Sequence, residues 1–137
     1  MTTLDVFHLA IPTHDLDATE AFYTNVVGAT RARRYDDRVT FRFFEHQVVC
    51  HLDPEFAPAA DLDPFANIYP RHFGLTFRNG DDFDAFHERC ARSGWHWFRP
   101  WANRFGDLPE RHRTFFLADP TGNLLEFKHY EAERYIY

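Results

Sequence analysis

The sequence has little of what would stabilise a small secreted protein or anchor a membrane protein. Its two cysteines, Cys50 and Cys90, lack the paired spacing of a disulfide framework. No stretch approaches about 18 consecutive apolar residues, and no charged segment leads into an apolar one near residue 1. We therefore expect reduced thiols, a cytoplasmic location and no membrane partner.

Basic side chains are also scarce. Lys and Arg number 15 against 21 Asp and Glu, for a net charge of −6, and Lys128 is the only lysine. Because the arginines are scattered and form no stripe, we expect no nucleic-acid partner. Aromatic residues and histidine are abundant, with 16 Phe, 6 Tyr, 3 Trp and 9 His. A chain of 137 residues that is 45% hydrophobic can bury a core as a single domain.

The first half of the chain predicts one helix among four strands. Asp15 can cap a helix that ends at Gly28. Apolar or alternating runs predict strands at residues 4–12, 30–35, 38–44 and 47–52. The element order is therefore βαβββ.

The second half repeats this order. Asp81 or Asp82 can cap a helix that ends at Gly94, and strands are predicted at residues 71–78, 95–101, 113–118 and 123–130. His72 follows His8 by 64 positions, and Gly94 follows Gly28 by 66. These offsets indicate a duplication within one domain, residues 1–137. Its predicted parts are a module at about 4–53, a linker at 54–69, a module at about 70–130 and a tail at 131–137.

Polar residues recur on matching strands of the two halves. His8 and His72 lie on the predicted first strands, and His51 and Glu126 lie on the fourth. If a pseudo-twofold axis relates the halves, these side chains converge on one point. Imidazole and carboxylate ligands suit a divalent first-row metal, which would also offset the cost of burying Glu126. The alternative is that hydrogen bonds alone satisfy them.

Several segments resemble the vicinal oxygen chelate superfamily, which includes glyoxalase I, extradiol dioxygenases, methylmalonyl-CoA epimerase, and fosfomycin- and bleomycin-resistance proteins. The resemblance covers about residues 4–130 and is carried by Val6 to Pro12, Asp15 to Gly28, Arg71 to Leu75 and Phe116 to Phe127. Its most specific part is Asp-Pro-x-Gly-x-x-x-Glu at 119–126. It implies an α+β fold of two βαβββ modules that form a curved mixed sheet around a metal site.

The resemblance also implies the site residues. His8, His72 and Glu126 match the shared set of two histidines and one carboxylate. His51 falls on a slot that commonly holds Glu or Gln as a fourth ligand, so we favour it as a metal ligand, with a catalytic base as the alternative. One divalent metal is implied, with Fe(II) favoured and Zn, Mn, Ni or Co as alternatives.

The resemblance implies a small substrate that chelates the metal through vicinal oxygens. Histidines, a carboxylate and open positions suit a non-haem Fe(II) dioxygenase, which is the function we favour. A glyoxalase-like lyase or epimerase is the alternative, since it needs a base beside the substrate. A drug-binding resistance protein without metal chemistry is a third possibility, and small members of the family suggest a homodimer.

Substrate contacts are predicted in an insertion at about residues 99–105, before the seventh strand. Trp101 could stack on a planar substrate, and Arg104 or Arg113 could hold a carboxylate. The alternative is that they are an ordinary half-buried Trp and exposed Arg side chains. Tyr130, after the last strand, could also reach the site. The histidines without a repeat partner are expected to be structural or exposed: His14, His46, His87, His96, His112 and His129.

Overall fold

The protein, a computed structural model, is described at residues 5–56, 63, 65 and 68–137. It divides into two compact units, of which the first also includes Asp119–Gly122. Each unit has a mixed four-stranded sheet and one principal helical segment, in the order βαβββ. The predicted α+β fold of two such modules is therefore confirmed.

The first unit contains β1 (His8–Thr13), β2 (Thr30–Arg34), β3 (Arg38–Phe43) and β4 (His46–Leu52). The strand order is β1-β4-β3-β2, with β1 parallel to β4 and the other neighbours antiparallel. Helix α1 (Leu16–Ala21) continues as a π-helical segment (Phe22–Val27). One face of this sheet is buried and the other presents polar side chains.

The helical segment formed by α1 and its π-helical continuation begins and ends as the sequence predicts. The Asp15 carboxylate accepts a hydrogen bond from the Ala18 amide at 3.0 Å, and Gly28 ends the helical segment with a φ of 82°. Tyr23 stacks on Phe41 of β3 with ring centroids 5.1 Å apart. The segment thereby covers the apolar face of the sheet, which leaves the opposite face for a site.

Buried polar groups tie the turn at Asp119 into the first unit. The Tyr23 hydroxyl donates to the Asp119 carboxylate at 2.9 Å. Burial, followed by the nearby Asp119 charge, raises the pKa of both the Tyr23 phenol and the Cys50 thiol. Cys50 and Cys90 are both free and buried, and burial raises the pKa of Cys90 to about 12.

The second unit contains β5 (Phe73–Thr76), β6 (Arg99–Arg104), β7 (His112–Ala118) and β8 (Leu124–Tyr130). The strand order is β5-β8-β7-β6, with β5 parallel to β8. Helix α2 (Gly80–Ser93) packs on one face of the sheet, where Phe86 lies 4.5 Å from Phe127 between ring centroids. A short 3₁₀ helix (Glu133–Tyr135) follows β8.

Two predicted boundaries in this unit are wrong. Helix α2 is capped by Asn79, whose side-chain oxygen accepts from the amides of Asp81 and Asp82, so neither aspartate is the cap. Strand β6 spans Arg99–Arg104 and not 95–101, because the Trp95 indole is held by the Ala118 carbonyl at 2.9 Å outside the ladder.

Strand β5 is shorter than predicted. It spans Phe73–Thr76 and not 71–78, so His72 stands just before the strand. The predicted strand at 4–12 begins at His8, and residue 4 lies outside the described residues. Of the predicted linker at 54–69, residues 57–62, 64, 66 and 67 also lie outside them. None of the helices in the described ranges is long and apolar enough to cross a membrane.

Candidate functional site

His72 and Glu126 form a close pair on the face of the second sheet that points away from α2. His72 Nε2 lies 3.2 Å from Glu126 Oε1. Glu126 lies in the middle of β8, opposite Gly74 of β5, and is 8% exposed. The pair therefore joins a partly open imidazole to a nearly buried carboxylate.

Gly74 allows strands β5 and β8 to approach closely beside Glu126. A Cβ atom at residue 74 would lie 2.6 Å from the backbone carbonyl carbon of Glu126 and closer still to its oxygen. Carbon atoms in contact normally lie about 3.5–4.0 Å apart, so no other residue fits this approach. The glycine thus fixes how near the start of β5, and with it His72, comes to Glu126.

Hydrogen bonds fix the tautomer of His72 and the orientation of the Glu126 carboxylate. His72 Nδ1 lies 2.6 Å from the Ile68 carbonyl oxygen, which can only accept, so Nδ1 carries a proton. In a neutral imidazole Nε2 then presents its lone pair to Glu126 Oε1. The other carboxylate oxygen, Oε2, accepts from the Thr114 hydroxyl at 2.6 Å. Two electron-pair donors therefore face each other, and a proton or a metal cation would relieve their repulsion.

This donor set fits a divalent metal. Histidine ligands usually donate their second ring nitrogen to a carbonyl or carboxylate oxygen, as His72 does to Ile68. Ligating carboxylates are likewise held by a hydrogen bond, as Glu126 is by Thr114. A cavity of about 160 Å³ adjoins the pair, lined by His72, Phe73, Gly74, Leu75, Thr76, Glu126 and Lys128.

Lys128 and Tyr130 extend this face along β8. Lys128 Nζ lies 3.8 Å from Glu126 Oε1 and donates to the Tyr130 hydroxyl at 3.2 Å. The Tyr130 ring packs on His112, with centroids 4.6 Å apart. Sequence reasoning missed Lys128 and Thr114 altogether. The available signal was alternation, since the only lysine stands two positions after Glu126 on the same strand face.

In the first unit, His8 repeats the local chemistry of His72. It begins β1 and is exposed, and its Nδ1 lies 2.5 Å from the Gln47 side-chain oxygen on β4. Because this amide oxygen accepts, the His8 proton lies on Nδ1 and Nε2 keeps its lone pair. Both histidines are therefore prepared to bind a cation through Nε2.

His51 does not occupy the position that the duplication predicts. In the second unit Gly74 pairs with Glu126, and in the first unit the corresponding residue, Ala10, pairs with Val49. The match of His51 to Glu126 is therefore wrong by two residues, and the sequence does not reveal this because residues two positions apart on a strand share a sheet face. His51 pairs with Pro12 and is exposed.

The structure brings together only part of the predicted set. His72 and Glu126 meet in the second unit, and His8 and His51 belong to the first. Among the described residues, no group of three or more His, Cys, Asp or Glu side chains could hold a metal ion. The complete ligand set stays a prediction.

The predicted substrate contacts lie apart from one another. Arg104 is on the same sheet face as Glu126, in register with His112, and donates to the Tyr69 hydroxyl at 2.6 Å. Arg113 faces α2 and pairs with Asp84 at 2.7 Å.

Segment 99–105 is mainly strand β6 and not a loop insertion, and Trp101 is an exposed residue of that strand. Arg104 therefore shares a sheet face with the candidate metal pair, whereas Arg113 does not.

The comparisons with known proteins agree on the fold. The model of the Glyoxalase/Bleomycin resistance protein/Dioxygenase superfamily matches residues 5–127. A solved glyoxalase/bleomycin resistance protein/dioxygenase from Alicyclobacillus acidocaldarius is 46% identical, with a TM-score of 0.87 over 97% of this chain and 96% of that one.

More distant structures share the fold alone. Lactoylglutathione lyase from Agrobacterium tumefaciens is 18% identical, with a TM-score of 0.69 over 100% of both chains. A glyoxalase/bleomycin resistance protein/dioxygenase from Nocardioides is 19% identical, with a TM-score of 0.65 over 95% of this chain and 85% of that one. No curated protein matches the chain. On the family match and the Alicyclobacillus structure, the chain belongs to the Glyoxalase/Bleomycin resistance protein/Dioxygenase superfamily.

Proposed function

We propose that the chain is a metal-dependent enzyme that binds one divalent metal through His8, His72 and Glu126. Its substrate is a small molecule that chelates the metal through vicinal oxygens. The reaction class is a dioxygenase-like oxidation with Fe(II) as the metal. The observation that carries the proposal is the pair formed by His72 Nε2 and Glu126 Oε1 at 3.2 Å.

The surroundings of the pair suit a metal as the cation between its two atoms. The Ile68 carbonyl holds the His72 proton on Nδ1, and Thr114 already donates to the second oxygen of Glu126. A cation at Nε2 and Oε1 would satisfy both lone pairs and compensate the buried carboxylate charge. His8, with its proton held by Gln47, offers the same kind of nitrogen.

The strand register favours three protein ligands over four. Val49, which cannot bind a metal, occupies the register position of Glu126 in the first unit. Two histidines and one carboxylate leave open positions for a bidentate substrate and a further ligand, as in non-haem Fe(II) oxygenases. This supports an oxidation over a lyase reaction with four protein ligands, and we propose that His51 is not a ligand.

The chain's own residues would orient the reaction. When bound, Fe(II) would supply a Lewis acid and an electron source. Thr114 fixes the Glu126 carboxylate through Oε2, and Ile68 and Gln47 fix the two imidazole rings. The cavity of about 160 Å³ has room for roughly five waters at about 30 Å³ each, which leaves space for a small substrate beside the ligands.

The function is tested by loading the protein with Fe(II) under anaerobic conditions and then measuring its O₂ uptake in aerated buffer. We expect O₂ consumption with a chelating phenol or enediol, at least about 100-fold lower in Glu126→Ala. His96→Ala is the matched control, because His96 is exposed and stacks only on Trp95. Turnover of a hydroxy-ketone or of an α-ketoaldehyde thiol adduct without O₂ would instead place the protein among the lyases or isomerases.

We also propose that the protein is a homodimer. Proteins of this fold commonly pair, and the described residues supply a two-ligand cluster in the second unit while His8 belongs to the first. Light scattering at micromolar concentration should give twice the chain mass. A monomeric mass with metal bound and full activity would contradict the proposal.

A further inference from the structure

Lys128 is the single ammonium group that the sequence provides, and it stands beside the candidate metal pair. It follows Glu126 by two residues on β8, so both side chains lie on the same sheet face. Lys128 also lines the cavity of about 160 Å³ that adjoins His72 and Glu126. Its side chain is 28% exposed, so the charge is held at the cavity wall and not in bulk solvent.

The Lys128 ammonium group does not form a close ion pair with Glu126. Lys128 Nζ lies 3.8 Å from Glu126 Oε1, beyond the 2.7–2.9 Å or so of a charge-assisted hydrogen bond. Its closer partner is the Tyr130 hydroxyl at 3.2 Å. An ammonium has three N–H donors, so at least one is left for an incoming acceptor.

Tyr130 adds a second donor at the same place. Because Lys128 can only donate, the Tyr130 oxygen accepts, and the phenol's own hydrogen is directed elsewhere. The ring is held by the buried His112, and the Lys128 ammonium lies 5.3 Å from the ring centroid. Lys128 and Tyr130 therefore present two preorganised donors and one positive charge near the proposed metal.

We infer that Lys128 and Tyr130 form a subsite for an anionic oxygen of the substrate. The inference rests on the proposed metal site and adds a preference for chelators that carry a third, anionic oxygen, of which small 2-oxo and 2-hydroxy carboxylates are the simplest. Such a molecule chelates with the 2-oxygen and one carboxylate oxygen, and its remaining carboxylate oxygen meets Lys128 and Tyr130. A lysine that only neutralised Glu126 would not distinguish chelators with this third oxygen from chelators without it.

Two probes separate the roles. Oxalate chelates through two vicinal oxygens and carries further anionic oxygens, whereas acetohydroxamate chelates through two oxygens and has no third. Calorimetric titration of protein loaded with Co²⁺ gives both affinities, and the bound Co²⁺ is quantified in each sample. The variants are Lys128→Gln, Lys128→Arg and Tyr130→Phe. Arg92→Gln is the control for net charge, since Arg92 lies on the exposed face of α2 and pairs with Glu88.

We expect Lys128→Gln to weaken oxalate binding about 10- to 100-fold, the range of a hydrogen bond to a charged group. Tyr130→Phe should weaken it about 5-fold. Lys128→Arg should recover most of the affinity, which also shows that the site folds with a cation there. Acetohydroxamate should bind within about twofold of the unsubstituted protein in every case.

The subsite is overturned if Lys128→Gln weakens the binding of both probes equally, or if it leaves the oxalate affinity unchanged. In either case, one bound Co²⁺ per chain would still support the metal site. An unsubstituted protein that binds no Co²⁺ overturns the proposed function and the subsite with it.

Discussion

Replacing Gly74 with Ala should weaken the metal site by forcing apart the two strands that hold His72 and Glu126 together. The new Cβ would lie 2.6 Å from the Glu126 carbonyl carbon, where contact normally needs about 3.5 Å or more. Strands β5 and β8 must therefore separate by more than about 1 Å at this point, because the Glu126 carbonyl oxygen lies closer still to the new Cβ. Because Glu126 is in register with residue 74 and His72 precedes it by two residues, the same displacement acts on the 3.2 Å pair.

The cost follows from overpacking against backbone. Inserting a methyl group into a packed site typically costs about 1–3 kcal/mol, and backbone gives way less readily than a side chain. We expect a loss of about 2–4 kcal/mol in the free energy of unfolding, which leaves the protein folded if its stability is ordinary. Zn²⁺ affinity should fall at least about 10-fold as the ligands separate.

Urea unfolding and chelator-competition titration with Zn²⁺ measure the two effects. Gly106→Ala is the matched control, because a Cβ there meets nothing within 4 Å and the residue has no positive φ. It should change neither quantity by more than about 1 kcal/mol. The reasoning is refuted if Gly74→Ala keeps the stability and the Zn²⁺ affinity of Gly106→Ala.

Three further predictions concern the carboxylate, the fourth slot and the buried thiols. Thr114→Val removes the 2.6 Å hydrogen bond to Glu126 and should weaken Zn²⁺ binding about 10- to 100-fold in competition titrations. His51→Ala should leave Zn²⁺ affinity within about threefold, and a loss of 10-fold or more would restore His51 as a ligand. Since burial raises the pKa of Cys50 and Cys90, their stabilising contribution is complete below about pH 8.5 and is lost as pH rises towards their folded-state pKa values. Urea unfolding should show a fall of about 1.4 kcal/mol per pH unit for each thiol above pH 9, and Cys50→Ala should remove about half of it.

The valine substitution at Thr114 has a matched control in the first unit. Thr40 is equally buried, and neither the residue of β4 in register with it, Val49, nor the two diagonal residues, Gln47 and His51, carries a carboxylate. Thr40→Val should leave Zn²⁺ affinity unchanged. A comparable loss in both variants would mean that the hydrogen bond to Glu126 does not matter for the metal.

Much of the fold could be predicted because local signals specify it. Asp15 and Gly28 mark the ends of the first helical segment, and the recurrence of the same order of elements reveals the second module. The α2 cap was missed because Asn79, Asp81 and Asp82 are all good capping residues. Only the three-dimensional structure shows that Asn79 is the residue with an extended backbone and that its side-chain oxygen accepts from the first amides of the helix.

The site was predictable only in part. His72 and Glu126 could be found from the repeat, because their pairing follows from first and last strands being neighbours in the sheet. Register could not be read this way, since a two-residue shift keeps every side chain on the same face and costs nothing in the hydrophobic pattern. That is why Val49, and not His51, stands opposite Ala10. The position of Lys128 between Glu126 and Tyr130 depends on three-dimensional neighbours.

Metal stoichiometry in the unsubstituted protein and four variants tests the central claim most directly. Equilibrium dialysis against Zn²⁺, with elemental analysis, should give one ion per chain in the unsubstituted protein and in His96→Ala. It should give less than about 0.1 per chain in His72→Ala and in Glu126→Ala at the same free Zn²⁺. A full equivalent of metal in the His72→Ala, Glu126→Ala double variant would contradict the account.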